Sequence, residues 1–292
     1  MSKLICEQVR IQFFALMYIY IMVDYLVDTK ENFEDKIIKN PIFLPQPVNN
    51  LSLKDTVIVY SDGTKYKIVP LNIMFNYPII YDQYLDDQNT STQISVTLCP
   101  YTLSTIIYFG TFNVMNKVYN SNIVLNDQND KDKIIFQMTG NIFSLSTKKL
   151  LEETIRKEEC KIMILRNAIT MFPDSLHLHF DKNIDHTLNT SYLIDKIILY
   201  PVYNESDRYH PKTLIYGIEY HSKKKSQLKY SALVTKDSNP DRVNKKNIIK
   251  NGVHDYLEKM IDKIREKGGL IINCFWFGWY AMHPDTKVIV MM

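Results

Sequence analysis

One pattern that occurs twice constrains this fold more than any single motif. The stretch TMFPDSLHLHF places Met171, Pro173, Asp174 and Ser175 ahead of alternating apolar residues, and AMHPDTKVIVMM places Met282, Pro284, Asp285 and Thr286 ahead of another such run. A local pattern met twice points to a repeated unit. Proline disfavours helical geometry in the residue before it, so the second stretch predicts a short helix ending near Met282 or His283. Asp285 and Thr286 suit the turn that follows, because their side chains bond nearby amides. The closing KVIVMM reads as a strand, and ILRNAITMFPDSLHLHF supports the same order of helix, turn and strand.

Each of these elements follows a hairpin. TVIVYSDGTKYKIVPLNIM sets two β-rich runs around Asp62-Gly63, a dipeptide that favours tight hairpin turns. TLIYGIEYHSKKKSQLKYSALV repeats the plan around a Lys-rich turn. Two divergent copies follow, over about residues 51–180 and 208–292, joined by YLIDKIILYPVYNESD as a strand and connector. The first copy adds QISVTLCPYTLSTIIYF and NSNIVLNDQNDKDKIIFQMTG, whose Ile, Val, Thr, Tyr and Phe predict further strands. The second adds GVHDYLEKMIDKIREKGG, in which Val253, Tyr256, Leu257, Met260, Ile261 and Ile264 share one helical face and Gly268 stops the helix. The expected class is α+β dominated by β structure, with residues 1–50 as an apolar helix and linker and residues 51–292 as a domain of two related halves.

Bulk properties exclude some functions. With 292 residues the chain can bury one large core or two smaller ones, and 46% hydrophobic against 23% charged residues argues against extensive disorder. A net charge of +3 leaves no concentrated basic stripe for nucleic acid, and HSKKKSQLK and RVNKKNIIK read as solvated loops. Abundant Asn, Ile, Lys and Tyr are what AT-rich codons yield, as in large DNA viruses or parasites. Cys6, Cys99, Cys160 and Cys274 form no C-x-x-C pair, so neither a disulfide framework nor a zinc site is expected and free thiols fit a reducing compartment. The apolar run at residues 13–23, interrupted by Asp24, is shorter than the ~20 residues of a spanning helix. Membrane contact through residues 11–27, a signal anchor and a buried helix all remain open, so this segment does not assign a compartment.

The stretches DGTKYKIVPLNIM, VTLCPYT, VYNSNIVLNDQ, FQMTG, DRYHPKTLIYGIE and FWFGWYAMHPDT, in that order, resemble the motif series of the domain-of-unknown-function family numbered 3179. The resemblance runs from about residue 51 to the end of the sequence. It implies a fold and a set of typical residues and names no reaction. It also implies departures. A His-Glu pair and then an Asn-Asp pair are typical after the first hairpin, where this chain has Tyr77 and Pro78, then Tyr81 and Asp82; a second cysteine often follows the Cys-Pro motif, where Thr102 stands; and Gln137 is what remains of a Ser-Leu-Trp-x-Gln stretch. If the family's site is built on the histidine, this chain has lost it.

Some residues could carry chemistry. Cys99 in TLCPYT is a candidate thiol, but no cation adjoins it in sequence to lower its pKa, and an inert buried cysteine at a strand end is the competing reading. His177 and His179 fall on one face of a predicted strand and could share a metal with Asp181 or His186, against which the matching positions of the second copy are Val288 and Val290. DRYHPK gathers Asp207, Arg208, His210 and Lys212, acid, base and anion-holding types, although Pro211 equally marks a plain turn. No P-loop, Rossmann glycine pattern, H-E-x-x-H or nucleophile elbow occurs, so no nucleotide cofactor is expected and a metal is not favoured. The reading that follows is a non-catalytic binding or structural protein with a degraded polar site. The alternative is an enzyme using Cys99, with Gln137, Asp207, Arg208 and His210 converging on it, or a His-centred metal, in a cleft between the halves.

Overall fold

The computed structural model describes residues 26–46, 51–181, 192–221, 228–235 and 255–291, with side chains in the last segment described over 259–290. The apolar run at residues 13–23, expected as the helix of segment 1–50, lies outside these. Among the described residues the chain is β-dominated, with strands in four sheets. The helices are short: α1 is Leu71–Asn76, α2 Leu165–Met171, α3 Asp255–Arg265 and α4 Trp276–Met282.

Sheet I runs, edge to edge, through Val27–Asp28, Phe112–Tyr119, Asn122–Asp127, Lys133–Phe136, Ile142–Ser144 and Lys149–Leu150. Sheet II runs through Lys157–Glu159, Thr105–Phe109, Ser91–Leu98, Ile79–Leu85 and Ile37–Ile38. It is buried on both faces. Ile79, Ile106 and Tyr108 enter one core with Trp276 and Trp279, while Ile80, Val96, Leu98 and Ile107 enter another with Ile58, Val69 and Phe275. A sheet covered on both sides needs continuous apolar runs instead of alternation, which is why TIIYF carries no polar residue after Thr105.

Sheets III and IV share a plan. Sheet III has the order Lys161–Ile164, Thr56–Ser61, Tyr66–Pro70, Leu176–His179 and Ile42–Leu44; sheet IV has Leu270–Phe275, Leu214–His221, Leu228–Thr235 and Lys287–Met291. In each, a hairpin is flanked by an antiparallel strand on one side and a parallel strand on the other, and a seven-residue helix joins those two flanking strands. The hairpin forms around Gly63 at φ +92°, a conformation L-residues rarely adopt. Matching amides make matching bonds. Leu165 N donates to Asp55 O at 2.8 Å and Trp276 N to Thr213 O at 2.9 Å; Arg166 N donates to Leu53 O at 3.0 Å and Phe277 N to Pro211 O at 3.1 Å. The helices end alike, with Phe172 N bonded to Ala168 O and His283 N to Trp279 O, at 2.9 and 2.8 Å.

Residues 26–46 supply an edge strand to each of sheets I, II and III. The helix read from GVHDYLEKMIDKIREKGG forms as α3 over Asp255–Arg265, and Met260, Ile261 and Ile264 pack on Ile218, Leu233 and Ile271 of sheet IV, while Val253 and the side chains of Tyr256 and Leu257 lie outside what is described. Beyond it Gly268, at φ +72°, lets the Gly269 amide turn back to Ile264 O at 2.9 Å. The connector over residues 192–207 contains turns and no strand, unlike the sequence expectation. Its apolar residues act singly: Tyr200 is buried, whereas Ile197 and Leu199 are exposed.

Candidate functional site

Three of the stretches that carried the resemblance, VTLCPYT, VYNSNIVLNDQ and FQMTG, meet in the interior. Strand Ser91–Leu98 turns through Cys99 to Ser104 into Thr105–Phe109, closed by Cys99 N to Ser104 O and Leu103 N to Cys99 O, both 2.9 Å. Leu103 takes φ +59° to make this turn. Opposite it, Asn120 and Ser121 both take left-handed backbone, the geometry of a tight hairpin between Phe112–Tyr119 and Asn122–Asp127. Asn122 and Gln137 are thereby aimed at Thr97, Thr102 and Ser104.

These five side chains are buried and saturate one another. Gln137 Oε1 accepts from Ser104 Oγ at 2.6 Å and from Asn122 Nδ2 at 3.0 Å, and Gln137 Nε2 donates to Thr97 Oγ1 at 3.0 Å and to Ser104 O at 3.1 Å. Asn122 Nδ2 also reaches Thr102 Oγ1 at 2.8 Å, and Asn122 Oδ1 accepts the Met138 amide at 3.0 Å. Each bond satisfies a group whose burial alone would cost about 1–3 kcal/mol. The start of α4 seats on the same loop. Phe275 N donates to Thr102 O at 2.8 Å, and a Cβ on Gly278 would stand 2.6 Å from Thr102 Cγ2, so only glycine permits this approach.

Cys99 lies beside the network, fully buried. Burial pushes its thiol pKa up, outweighing hydrogen bonds from Thr102 and neighbouring amides that pull it down. Its sulfur accepts the Ile123 amide at 3.4 Å and faces Ser121 O at 3.8 Å. Cys160 and Cys274 are also buried, and burial raises both thiols.

Asp207, Arg208 and His210 line a separate open groove of about 740 Å³, with Lys196, Glu205 and Phe277. Asp207 and Arg208 are exposed, and His210 is buried, its Nδ1 accepting the Lys212 amide at 3.1 Å. Cys99 and Gln137 do not line this groove, so the five candidates divide between an interior network and a surface loop. Lys212, of the same motif, turns inward. Its ammonium donates to Tyr192 O at 2.8 Å, stands 3.1 Å from the Tyr192 ring centre and lies 3.8 Å from Asp195. Burial lowers its pKa to about 7, against the opposing pull of Asp195.

His177 is buried and His179 half-buried on strand Leu176–His179, and the Nδ1 atoms of both are enclosed without a hydrogen-bond partner among the described residues. His179 Nε2 sits 2.7 Å from Asp181 Oδ1, and burial lowers the His177 pKa. Among the described residues no three His, Cys, Asp or Glu side chains gather as a metal-binding group, and His186 lies outside them.

Buried ion pairs escaped the sequence reading. Lys67 bridges Asp82 at 2.6 Å and Asp62 at 3.1 Å, with Tyr60 Oη donating to Asp82 at 2.7 Å. Asp82 occupies the second place of the stretch where an Asn-Asp pair was expected. Lys157 meets Glu219 at 2.6 Å and ties sheet II to sheet IV, while the neighbouring Glu159 pairs with Arg265 of α3. A lone polar residue inside an apolar strand was the available signal, as with Glu219 in LIYGIEYH.

The family model described as "Protein of unknown function (DUF3179)" matches residues 36–268. The chain belongs to this family. No curated protein and no solved structure matches it. Within DUF3179 it is a member whose Cys-Pro, Asn-Ser-Asn and Phe-Gln stretches converge on one polar knot under α4, and the first matched residues are those that edge sheets II and III.

Proposed function

We propose that this DUF3179 chain is a non-catalytic binding or structural protein in which the motif residues serve architecture. The observation that carries this reading is the knot of Thr97, Thr102, Ser104, Asn122 and Gln137: it is closed to solvent, its side chains bond one another, and the Cys99 thiol beside it is held protonated by burial. A reacting group needs a substrate at hydrogen-bond reach, and these groups spend their bonding capacity inward. The test is thiol reactivity of the folded protein at mildly acidic pH. Cys99, Cys160 and Cys274 are expected to label equally slowly; Cys99 labelling far faster than the other two would reverse the assignment in favour of a thiol enzyme.

The same reading takes residues 51–180 and 208–292 as divergent copies of one unit. It is supported by the shared strand order, the equal helices and the matched bonds at both helix ends. Under this equivalence Phe172 corresponds to His283, Pro173 to Pro284, Leu178 to Ile289 and His179 to Val290. The histidines of the first copy thus stand where the second has aliphatic residues, which argues for a packing role at those positions.

A further inference from the structure

The edge strand Lys287–Met291 has what a second copy of this chain needs for sheet-to-sheet pairing. Sheets I, II and III each receive a strand from residues 26–46 on one edge, and sheet IV receives none among the described residues. In sheet III the strand Ile42–Leu44 lies antiparallel on Leu176–His179, with Leu178 opposite Phe43, and Leu178 is 1% exposed. In sheet IV the strand holding the same place, Lys287–Met291, has no outer neighbour among the described residues, and Ile289 and Val290 are 42% and 52% exposed. Ile289 is in register with buried Leu233, on the face where Met260, Ile261 and Ile264 of α3 pack over the inner strands. An apolar edge with free amides and carbonyls is a template for a further strand.

We propose that two copies of the chain pair antiparallel through this strand about a two-fold axis at Ile289, joining two four-stranded sheets into one. The proposal rests on the structural reading above and names its partner. Self-pairing is favoured by the strand itself. About Ile289, Val288 falls opposite Val290 and Ile289 opposite its own copy, all β-branched pairs, and the one charged residue, Lys287, falls opposite Met291, so that like charges do not face each other. The apolar triplet Val288-Ile289-Val290 takes the role that Ile42-Phe43-Leu44 plays on sheet III. Identical patches facing across a two-fold axis close at two copies, whereas pairing this edge with the exposed Ile42 edge of a neighbour would run on into open chains.

Sedimentation equilibrium of the full chain, with Ile289→Lys and Ile289→Cys variants, tests this. The unmodified chain is expected at twice the chain mass, with a melting temperature that rises with protein concentration, and Ile289→Lys at a single chain mass, still unfolding cooperatively but at a temperature independent of concentration. Mild oxidation of Ile289→Cys is expected to give a disulfide-linked pair in most of the protein, while a Leu44→Cys control gives little. A monomer throughout with no cross-link, a pair that survives Ile289→Lys, or concentration-dependent polymers cross-linked through Leu44→Cys would each overturn the proposal. The thiol-labelling result does not depend on any of these, so failure of the pairing and failure of the structural reading are told apart.

Discussion

At the scale of single residues, the buried titratable groups set how stability follows pH. His283 closes α4, stacked on Tyr230 with ring centres 3.7 Å apart, and its Nε2 is enclosed without a hydrogen-bond partner. Burial, reinforced by the Lys157 charge, depresses its pKa to about 3. A depressed histidine contributes stability that is complete above its unfolded pKa, near 6.5, and is lost as pH falls toward 3, because the unfolded chain takes up the proton first. The difference in unfolding free energy between wild type and His283→Phe should therefore change between pH 6.5 and 3.5, with a slope approaching about 1.4 kcal/mol per pH unit. Phenylalanine fits the site because Phe172 ends α2 in the same conformation. Denaturant titrations at a series of pH values check this, and parallel curves for the two proteins would show that His283 is not the group responsible.

At the scale of elements, the agreement between sequence and structure follows the kind of signal each element carries. The Asp62-Gly63 hairpin, the Met260, Ile261 and Ile264 part of the α3 stripe and both Pro-Asp turns rest on local chemistry, and all lie where the residues placed them. Long-range pairing was not legible. The strands within residues 26–46 are two or three residues long, too short to show alternation, and gain their register only from the sheets they edge. The knot likewise draws Gln137 and Thr97 together across forty positions, and of its members only Thr102 and Gln137 stood out in the sequence. The seating of α4 on sheet IV depends on one such hidden contact. A Cβ on Gly217 would lie 2.3 Å from the buried ring of Trp279, which also donates Nε1 to Thr286 Oγ1 at 2.9 Å. Gly217→Ala should destabilise the protein by about 3 kcal/mol through overpacking. Combining it with Trp279→Leu should cost clearly less than the sum of the two single changes, since they share one contact. Strict additivity would show that the ring moves aside freely.

At the scale of the whole molecule, the question is whether sheet IV can lose its last strand. Lys287–Met291 pairs in parallel with Leu228–Thr235 over five positions, and the central residues Leu233 and Val234 of that inner strand are buried on opposite faces of the sheet. Trp279, through its bond to Thr286, links the strand's approach to α4, and α4 contributes to both large cores through Trp276 and Phe277. Removing residues 287–292 strips the cover from aliphatic side chains, each worth roughly 1.5–3 kcal/mol when buried, and leaves a longer apolar edge than the one it takes away. A typical domain has only about 5–15 kcal/mol of stability to lose, so the deletion should lower the melting temperature sharply and bring aggregation at concentrations where the full chain stays in solution. Ile289→Lys, which disrupts the outer edge but keeps the strand, should lose only the stabilisation that pairing adds and should not aggregate. A soluble deletion variant that unfolds cooperatively at the parent's temperature would show that sheet IV closes without this strand, and that the second Pro-Asp element does not complete a unit equivalent to the first.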